Sequence, residues 1–226
     1  MLVIFDCDGV LVDSEILASR VDSERLKEVG YEISVDEMSH RFAGLTWDRI
    51  AKIIESDLGH PLPEGFHKET DAELDRRLAD ELEIIPGVHD MLDRLDYQRC
   101  ICSNSSPERL KISLTRTKLY DRFRPYVFSA VAIGNKRPKP APDVFLHAAN
   151  EFDADPRDCV VIEDSTHGVH GAKAAGMRVI GFIGGSHSWP GHADQLTAAG
   201  AETVIRRMAD LPATVAAFAA WSGLDE

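Results

Sequence analysis

The chain opens on a short apolar run that breaks directly into acidic residues. Residues 2–5 are Leu-Val-Ile-Phe, and they are followed by Asp6, Cys7, Asp8 and Gly9. Such a run predicts a buried central strand of a parallel sheet, and open α/β sheets bind ligands at the carboxyl ends of their strands. Two like charges at one desolvated site are unfavourable without a cation, a shared proton or a shifted pKa. The segment therefore favours a ligand site at Asp6 and Asp8, although an ordinary Asp-Gly turn explains a bare Asp-x-Asp equally well.

Similar β-rich runs recur along the chain, with helix-like segments between most of them. The runs lie at 2–5, 99–102, 127–131, 159–162, 179–183 and 203–205. Strands that alternate with helical segments are typical of a parallel sheet with crossover helices. The sequence therefore predicts an α/β fold with a Rossmann-like parallel-sheet core.

Between residues 15 and 82 this alternation fails. Apolar positions such as Ile50, Ile54 and Leu58 follow a helical period, and β-rich runs are missing. We therefore predict an all-helical cap domain at 15–82, inserted into a core domain formed by 1–14 and 83–226. The chain crosses between the two near Asp13 and near Pro86, and these crossings are expected to act as paired hinges. The stretch 187–221 is expected to complete the core as a helix, a strand and a helix.

Composition limits the classes of partner. The 226 residues carry a formal net charge of -13 and contain no run rich in lysine and arginine, which opposes binding to nucleic acid. No apolar stretch approaches the roughly 20 residues that a membrane span needs. The N-terminus enters the first strand without the features of a secretory signal, so we expect a cytoplasmic protein that is monomeric or weakly dimeric.

Cysteine and histidine spacing does not favour a disulfide framework or a zinc site. The four cysteines lie in or beside predicted buried strands and form no Cys-x-x-Cys pair, so they are expected to be reduced core residues. Histidine pairs such as His187 with His192 lack a third ligand at a recognisable spacing.

Three further polar groups follow later strands of the predicted sheet. Ser103-Asn104-Ser105 offers hydroxyl, amide and backbone N–H groups ahead of a helix, where a phosphate could be held or where the residues could simply cap the helix. Lys139 lies among three prolines that would stiffen its loop, although a solvated loop lysine is the commoner case. Glu163 and Asp164 end another apolar run. Oxygen ligands from Asp6, Asp8 and Asp164 suit Mg²⁺.

These groups are hard to explain as independent helix caps, since a parallel sheet gathers the ends of its strands at one edge. Two unit charges 4 Å apart repel by about 4 kcal/mol at an effective dielectric near 20, and a phosphate approaching several carboxylates meets more than one such repulsion. Mg²⁺ and Lys139 would offset it. The sequence therefore predicts a phosphate-handling site rather than a set of caps.

Four segments resemble the motifs of the haloacid dehalogenase superfamily. They are Asp6-x-Asp8-Gly9-Val10, Ser103, Lys139-Pro140-x-Pro142-Asp143 and Glu163-Asp164-Ser165. The helical insert and the Ala-Ala-Gly-Met run at 174–177 are similar to the branch that contains β-phosphoglucomutase and small-metabolite phosphatases. The resemblance covers nearly the whole chain and implies an α/β core of the haloacid dehalogenase type with a helical cap.

The resemblance also implies a mechanism and a cofactor. Asp6 would attack phosphorus and form an aspartyl-phosphate, while Asp8 would act as general acid and then general base. The phosphoryl oxygens would be held by Ser103, Asn104 and Lys139. Mg²⁺ would be held by the Asp6 carboxylate, the Asp8 main-chain carbonyl and Asp164, with Glu163 bound directly, through water or in support of the ligands.

Other reactions of the superfamily are weighed against the residues present. Asp8 argues against a dehalogenase, and the absence of lysine from 16–22 argues against a phosphonate hydrolase. In the mutase branch a cap histidine, a cap arginine and a lysine occupy the positions of Ala18, Trp47 and Ser106. Those groups would secure a second phosphate, so their replacement favours a phosphatase over the alternative, a phosphosugar mutase. A phosphate-binding protein without turnover is a third, weaker alternative.

The substrate is expected to be a small phosphorylated metabolite. Similarity around Arg41-Phe42-Ala43-Gly44 and Ser103-Asn104 favours sugar phosphates or sugar-acid phosphates such as 6-phosphogluconate. Arg41, Trp47 and Arg49 are the candidate substrate contacts of the cap, and packing or a solvated face explains each of them at least as well.

Overall fold

The computed structural model describes residues 1–42 and 45–222, the side chains of 221 and 222 excepted, and its centre is a parallel six-stranded sheet. The strands are β1 (Leu2–Phe5), β2 (Gln98–Ser103), β3 (Val127–Ser129), β4 (Cys159–Glu163), β5 (Arg178–Phe182) and β6 (Thr203–Ile205). Their order is β3-β2-β1-β4-β5-β6, and each neighbouring pair is parallel. The predicted α/β class is confirmed, and each predicted strand lies within two residues of an observed one.

Helices fill the segments between the strands. The predicted insert contains α1 (Ser14–Glu28), α2 (Val35–Arg41), α3 (Trp47–Leu58) and α4 (Phe66–Glu81). The rest of the described chain contains α5 (Val88–Arg94), α6 (Pro107–Arg116), α7 (Tyr120–Phe123), α8 (Asp143–Glu151), α9 (Thr166–Ala174), α10 (His192–Ala199) and α11 (Leu211–Ser222). The last helix, strand and helix follow the order predicted for 187–221. No helix of the described residues is long and apolar enough to cross a membrane.

The central strand β1 is buried on both faces, which explains its uninterrupted apolar sequence. Val3 and Phe5 point into one hydrophobic cluster, whereas Leu2 and Ile4 point into the other, because successive side chains of a strand face opposite sides. Helices α5, α6 and α11 cover the first face, and α8, α9 and α10 cover the second. The four cysteines are free and buried, as core residues.

The two chain crossings into the helical insert lie side by side. The Asp13 amide donates to the Glu83 carbonyl at 3.0 Å, and the Ile85 amide donates to the Leu11 carbonyl at 3.0 Å. The insert also has a hydrophobic cluster of its own, with Leu26, Ile54 and Phe66 among its members. The proposed domain boundaries at 14/15 and 82/83 stay a prediction, and residues 43–44 and 223–226 of those domains lie outside the described residues.

An ion-pair cluster joins helix α4 of the insert to helix α6 of the core. Arg109, on α6, donates from Nε to Asp75 at 2.6 Å and from Nη2 to Asp71 at 3.0 Å, both on α4. Asp22, on α1, stands close to this cluster. Burial, and then the Asp71 carboxylate, raise the pKa of Asp22 to about 7 against the opposing effect of Arg109.

We expect Asp22→Asn to stabilise the protein, and more so at pH 8 than at pH 5. The pKa of Asp22 rises from an ordinary value of 3.8 to about 7 on folding, so the unfolded chain releases this proton first and the folded state loses stability between these two pH values. The amide of the variant does not titrate between these two pH values. Its gain in free energy of unfolding, from urea denaturation, should be about 2–3 kcal/mol larger at pH 8 than at pH 5.

The matched control is Asp48→Asn, which changes the same charge on the exposed surface of α3. Its effect on the free energy of unfolding should be nearly the same at both pH values. An equal effect of Asp22→Asn at pH 5 and pH 8 would show that the Asp22 carboxyl titrates normally in the folded protein.

Candidate active site

The carboxyl ends of β1, β2 and β4 bring three predicted site residues to one edge of the sheet. Phe5, the last residue of β1, pairs in register with Ile101 on β2 and Ile162 on β4. Asp6 follows Phe5 directly, Glu163 follows Ile162 directly, and Ser103 lies two residues beyond Ile101, so the three emerge together. Parallel strands end on the same side, and residues far apart in sequence become neighbours here.

Lys139 lies between two of the carboxylates. Its ammonium group is 2.5 Å from Asp6 Oδ1 and 2.6 Å from Glu163 Oε1, and only 5% of the residue is exposed. Burial alone opposes the charged form, but the carboxylates of Asp6 and Glu163 raise the pKa of Lys139 above its ordinary value. The lysine is therefore a fixed cation and not a solvated loop residue.

Asp6 is buried at the end of β1, and the Lys139 ammonium offsets only part of the cost of burying its carboxylate. Burial raises the pKa of Asp6 well above its ordinary value; Lys139 opposes the shift, whereas Glu163, Asp164 and Asp8 add to it. The Asp6 amide donates to the Ile162 carbonyl at 2.9 Å, which extends the pairing of β1 and β4 by one residue. This hydrogen bond fixes the main chain from which the Asp6 side chain extends.

Three buried carboxylates form a group that could hold a metal ion. One oxygen from each of Asp6, Glu163 and Asp164 lies within 4.8 Å of the others. With Lys139 as the only lysine or arginine that the described residues place against them, three carboxylates and one ammonium carry a net charge of minus two when ionised. Hard oxygen donors in an anionic pocket fit a hard divalent cation. Glu163 is already committed, because Oε1 meets Lys139 and Oε2 accepts from the Ser165 amide and hydroxyl at 3.0 Å each.

Asp8 stands apart from this group and is held by hydroxyl donors. Ser14 donates to Oδ1 at 2.8 Å, while Ser103 and Ser105 donate to Oδ2 at 3.1 and 2.8 Å. Ser103 was predicted to hold phosphate, and that contact stays a prediction, because its hydroxyl donates to Asp8 here. Ser14 and Ser105 were not predicted to contact Asp8. Ser14 begins α1, so a residue of the first crossing orients one of the two predicted catalytic carboxylates.

Comparison with known proteins identifies the family of the chain. The profile of the family described as haloacid dehalogenase-like hydrolase matches residues 3–182. This chain belongs to the haloacid dehalogenase-like hydrolase family. A protein of Escherichia coli (strain K12) named 6-phosphogluconate phosphatase is 32% identical over 190 residues, which cover 83% of this chain and 85% of that protein. The hydrolase class implied by the motifs is thus confirmed.

Solved structures of the same family superimpose closely on this hydrolase. A conserved haloacid dehalogenase-like protein of unknown function from Agrobacterium tumefaciens str. C58 has a TM-score of 0.92 and 56% identity, with 96% of this chain and 98% of that chain covered. A haloacid dehalogenase family hydrolase from Deinococcus radiodurans R1, solved with bound phosphate and sodium, has a TM-score of 0.84 and 29% identity, with 96% of both chains covered. The predicted fold of the haloacid dehalogenase type is confirmed.

Two glycines of the hydrolase permit the close approach of its acidic groups. Gly9 has a φ of +75°, and a Cβ there would lie 2.0 Å from Asp164 Oδ2. A Cβ on Gly168 would lie 1.7 Å from Glu163 Oε1. Any side chain at either position would therefore displace a carboxylate of the cluster.

Asn104, a predicted phosphate ligand, forms hydrogen bonds to the main chain of Lys139. Asn104 Oδ1 accepts from the Lys139 amide at 2.8 Å, and its Nδ2 donates to the Lys139 carbonyl at 3.4 Å. These bonds fix the loop that presents the Lys139 ammonium. The structure thus brings Asn104 to the site as a support of Lys139, and its predicted contact with phosphate stays a prediction.

Two histidines of the hydrolase contact Asp164. His187 Nε2 lies 2.9 Å from Asp164 Oδ2, and His192 Nε2 lies 2.7 Å from the Asp164 main-chain oxygen. Their spacing predicted no metal site, since a third ligand was lacking, and the structure places one histidine on the Asp164 carboxylate and the other on its main-chain oxygen. The position of His187 depends on the loop between β5 and α10, and no sequence pattern indicated the path of that loop.

The three candidate substrate contacts of the cap lie away from the cleft. Arg41 is bonded to the Tyr31 hydroxyl at 2.7 Å and to Asp57 at 2.8 Å. Trp47 stacks on Phe66 and His67 with centroid distances of 6.1 and 4.8 Å. Arg49 is an exposed residue of α3. None of the three is among the described residues that line the cleft, so their role as substrate contacts stays a prediction without geometric support.

Between the helical insert and the sheet edge lies a cleft of about 850 Å³. Its floor contains Asp6, Asp8, Ser103, Lys139 and Asp164. Its walls come from the insert, from α6, which Arg109 connects to the insert, and from the segments of the core that contain His167, His187 and Trp189. A small organic molecule can therefore reach the predicted catalytic carboxylates while it contacts the insert.

Proposed function

We propose that this hydrolase is a Mg²⁺-dependent phosphatase that cleaves small phosphorylated metabolites, in particular sugar phosphates, through an aspartyl-phosphate on Asp6. One observation carries the proposal. A buried carboxylate, Asp6, meets a buried ammonium, Lys139, at 2.5 Å on the floor of a cleft that also contains a second, separately held carboxylate, Asp8. The name of the Escherichia coli relative, 6-phosphogluconate phosphatase, agrees with this reaction class.

The two carboxylates have environments suited to different roles. A carboxylate oxygen of Asp6 forms a bond to phosphorus, the ester P–O bond breaks, and Asp8 gives its proton to the departing alkoxide. Asp8 then takes a proton from water, the water oxygen bonds to phosphorus, and the Asp6–phosphorus bond breaks to release inorganic phosphate. The hydroxyls of Ser14, Ser103 and Ser105 hold Asp8 in place for both proton transfers.

The residues present fit a divalent cation. Asp6 and Asp164 would hold it with the Asp8 main-chain carbonyl, and Glu163 would stay with Lys139 and Ser165 in support. A bound Mg²⁺ supplies charge stabilisation to the phosphoryl oxygens. The Lys139 ammonium is the protein's own cation for those oxygens, and the Asn104 amide positions its main chain.

Hydrolysis is favoured over phosphoryl transfer between sugar carbons. Ser106, which replaces a lysine of the mutase branch, caps α6 by accepting from the Arg109 amide at 3.1 Å. Ala18 lines the cleft where that branch has a histidine, and it has no polar group for a second phosphate. A bisphosphate intermediate would therefore lack two of its anchors. A cytoplasmic location and a monomeric or weakly dimeric state stay predictions from the sequence.

The test is phosphate release from a panel of sugar and sugar-acid phosphates, with Mg²⁺ and with EDTA, run beside an assay of β-glucose 1-phosphate isomerisation. We expect Mg²⁺-dependent release without isomerisation, and a loss of kcat of about 100-fold or more with EDTA. Isomerisation with little release would establish a mutase. Failure to release phosphate from any ester would favour the phosphate-binding alternative.

A binding measurement separates loss of metal from loss of fold. Mg²⁺ at about 100 times its Kd should stabilise the wild type by about 2.7 kcal/mol in thermal or urea unfolding. Asp164→Asn should remove most of this effect because it removes one of the proposed oxygen ligands, whereas Asp96→Asn, at an exposed position, should retain it.

A further inference from the structure

Acidic and hydroxyl groups contribute to the lining of the cleft beyond the catalytic floor. Glu15 on α1 and the pair Asp71 and Asp75 on α4 contribute carboxylates to its walls. The side chain of Glu15 is exposed to the cleft. A leaving group that extends from the phosphate would meet these walls.

The arginine and the lysine that line the cleft are already paired with carboxylates. Among the described residues that line the cleft, Arg109 is the only arginine and Lys139 the only lysine. The Arg109 guanidinium is bound to Asp75 at 2.6 Å and Asp71 at 3.0 Å, and only 24% of its side chain is exposed. Lys139 is bound to Asp6 and Glu163 at the floor. An anionic leaving group would therefore find no unpaired lysine or arginine among the described residues of this part of the cleft.

Neutral hydrogen-bonding groups are available instead. The Ser39 hydroxyl donates to the Ser19 hydroxyl at 2.8 Å across α1 and α2, and both serines line the cleft together with Thr46. Each hydroxyl can donate and accept, and the carboxylates can accept, so the walls match the hydroxyls of a polyol.

From this pairing we propose that Asp71 and Asp75, by occupying Arg109, select esters whose leaving alcohol is neutral and polyhydroxylated and reject those that carry a carboxylate. The inference rests on the proposed phosphatase function and narrows its substrate class to sugar and sugar-alcohol phosphates. A carboxylate on the leaving group would be desolvated beside like charges, which is unfavourable in both the bound and the transition state. Release of Arg109 would turn the same wall into an anion site.

The decisive comparison uses sorbitol 6-phosphate and 6-phosphogluconate, which differ only in a CH₂OH or a carboxylate at C1. At pH 8 with Mg²⁺ we expect kcat/KM for sorbitol 6-phosphate to be higher by about tenfold or more. In Asp71→Asn combined with Asp75→Asn, Arg109 loses both hydrogen-bonded carboxylates and keeps Asp22 as a nearby acidic residue, and this preference should fall by about tenfold or reverse. Equal or better hydrolysis of 6-phosphogluconate by the wild type, or an unchanged ratio in the double variant, would overturn the inference.

Controls keep the result independent of folding. Asp80→Asn removes a charge from the exposed face of the same helix α4, where Asp80 pairs with Arg76, and should leave the ratio of the two substrates unchanged. If the double variant does not fold, Asp71→Asn alone still frees one side of the guanidinium and should move the ratio in the same direction. Arg109→Gln should not improve 6-phosphogluconate hydrolysis, since this wall then has no guanidinium that could bind the carboxylate.

Binding without turnover distinguishes this inference from the proposed function. In Asp6→Asn, titration calorimetry with Mg²⁺ present should show a Kd for 6-phosphogluconate about tenfold higher than for sorbitol 6-phosphate. That result together with wild-type inactivity toward both esters would reject the phosphatase function and retain the charge selection. Equal binding of the two esters would reject the charge selection whether or not the wild type turns over.

Discussion

Asp6→Asn is expected to reduce kcat for every phosphate ester by about 10³-fold or more. The amide keeps the shape of the side chain but lacks the anionic oxygen that would bond to phosphorus. The wild type, quenched with acid during turnover, should give a peptide phosphorylated at Asp6 in mass spectrometry, and the variant should not. Full activity of Asp6→Asn would exclude the covalent mechanism.

The fold of this variant can be checked separately. The amide oxygen that Asp6→Asn introduces would still accept a hydrogen bond from Lys139, and Lys139 would still contact Glu163, which lies 2.6 Å from its ammonium. We therefore expect a cooperative unfolding transition like that of the wild type. Asp96→Asn makes the same chemical change at an exposed position and should keep both activity and stability.

Lys139→Met is expected to have the largest effect on stability and to abolish turnover as well. The ammonium lies between two buried carboxylates at 2.5 and 2.6 Å, and 5% of the residue is exposed. Removing it leaves Asp6 and Glu163 as uncompensated buried charges, which costs about 3–5 kcal/mol in free energy of unfolding. Urea denaturation at pH 7 without divalent metal should measure this loss.

A second substitution tests whether charge is the cause. Adding Glu163→Gln to Lys139→Met removes one of the two stranded carboxylates, so the double variant should be more stable than Lys139→Met. Lys136→Met, in the same loop but exposed, should cost little. A double variant no more stable than the single one would attribute the loss to packing against Phe145, whose ring centroid lies 5.2 Å from the ammonium.

The sequence alone was sufficient for the elements and for the floor of the cleft. The apolar run before Asp6 and the one before Glu163 are typical of buried central strands, and parallel strands end at one edge of the sheet. Asp6, Ser103 and Glu163 were therefore predictable neighbours although about 60 to 160 residues separate them. The helical period of residues 15–82 likewise predicted the helices of the insert.

The side-chain partners on that floor were not predictable in the same way. Strand ends fix the origin of a side chain to within a few ångströms, but a hydrogen bond requires tenths of an ångström. Asn104 was predicted to bind phosphate, and the structure turns its amide to the main chain of Lys139. No spacing in the sequence indicated that the Ser14 hydroxyl contacts Asp8 or that the His187 imidazole contacts Asp164.

What the sequence determined by itself is the order of strands and helices and the set of groups at the sheet edge, because hydrophobic period and strand direction are local properties. Tertiary structure alone decided which charges of the walls remain free. Arg109 pairs with Asp71 and Asp75 only because α4 of the insert packs beside α6 of the core. Ion pairing depends on distances between elements that no local pattern encodes, so the charge presented to a leaving group follows from how the insert sits on the sheet.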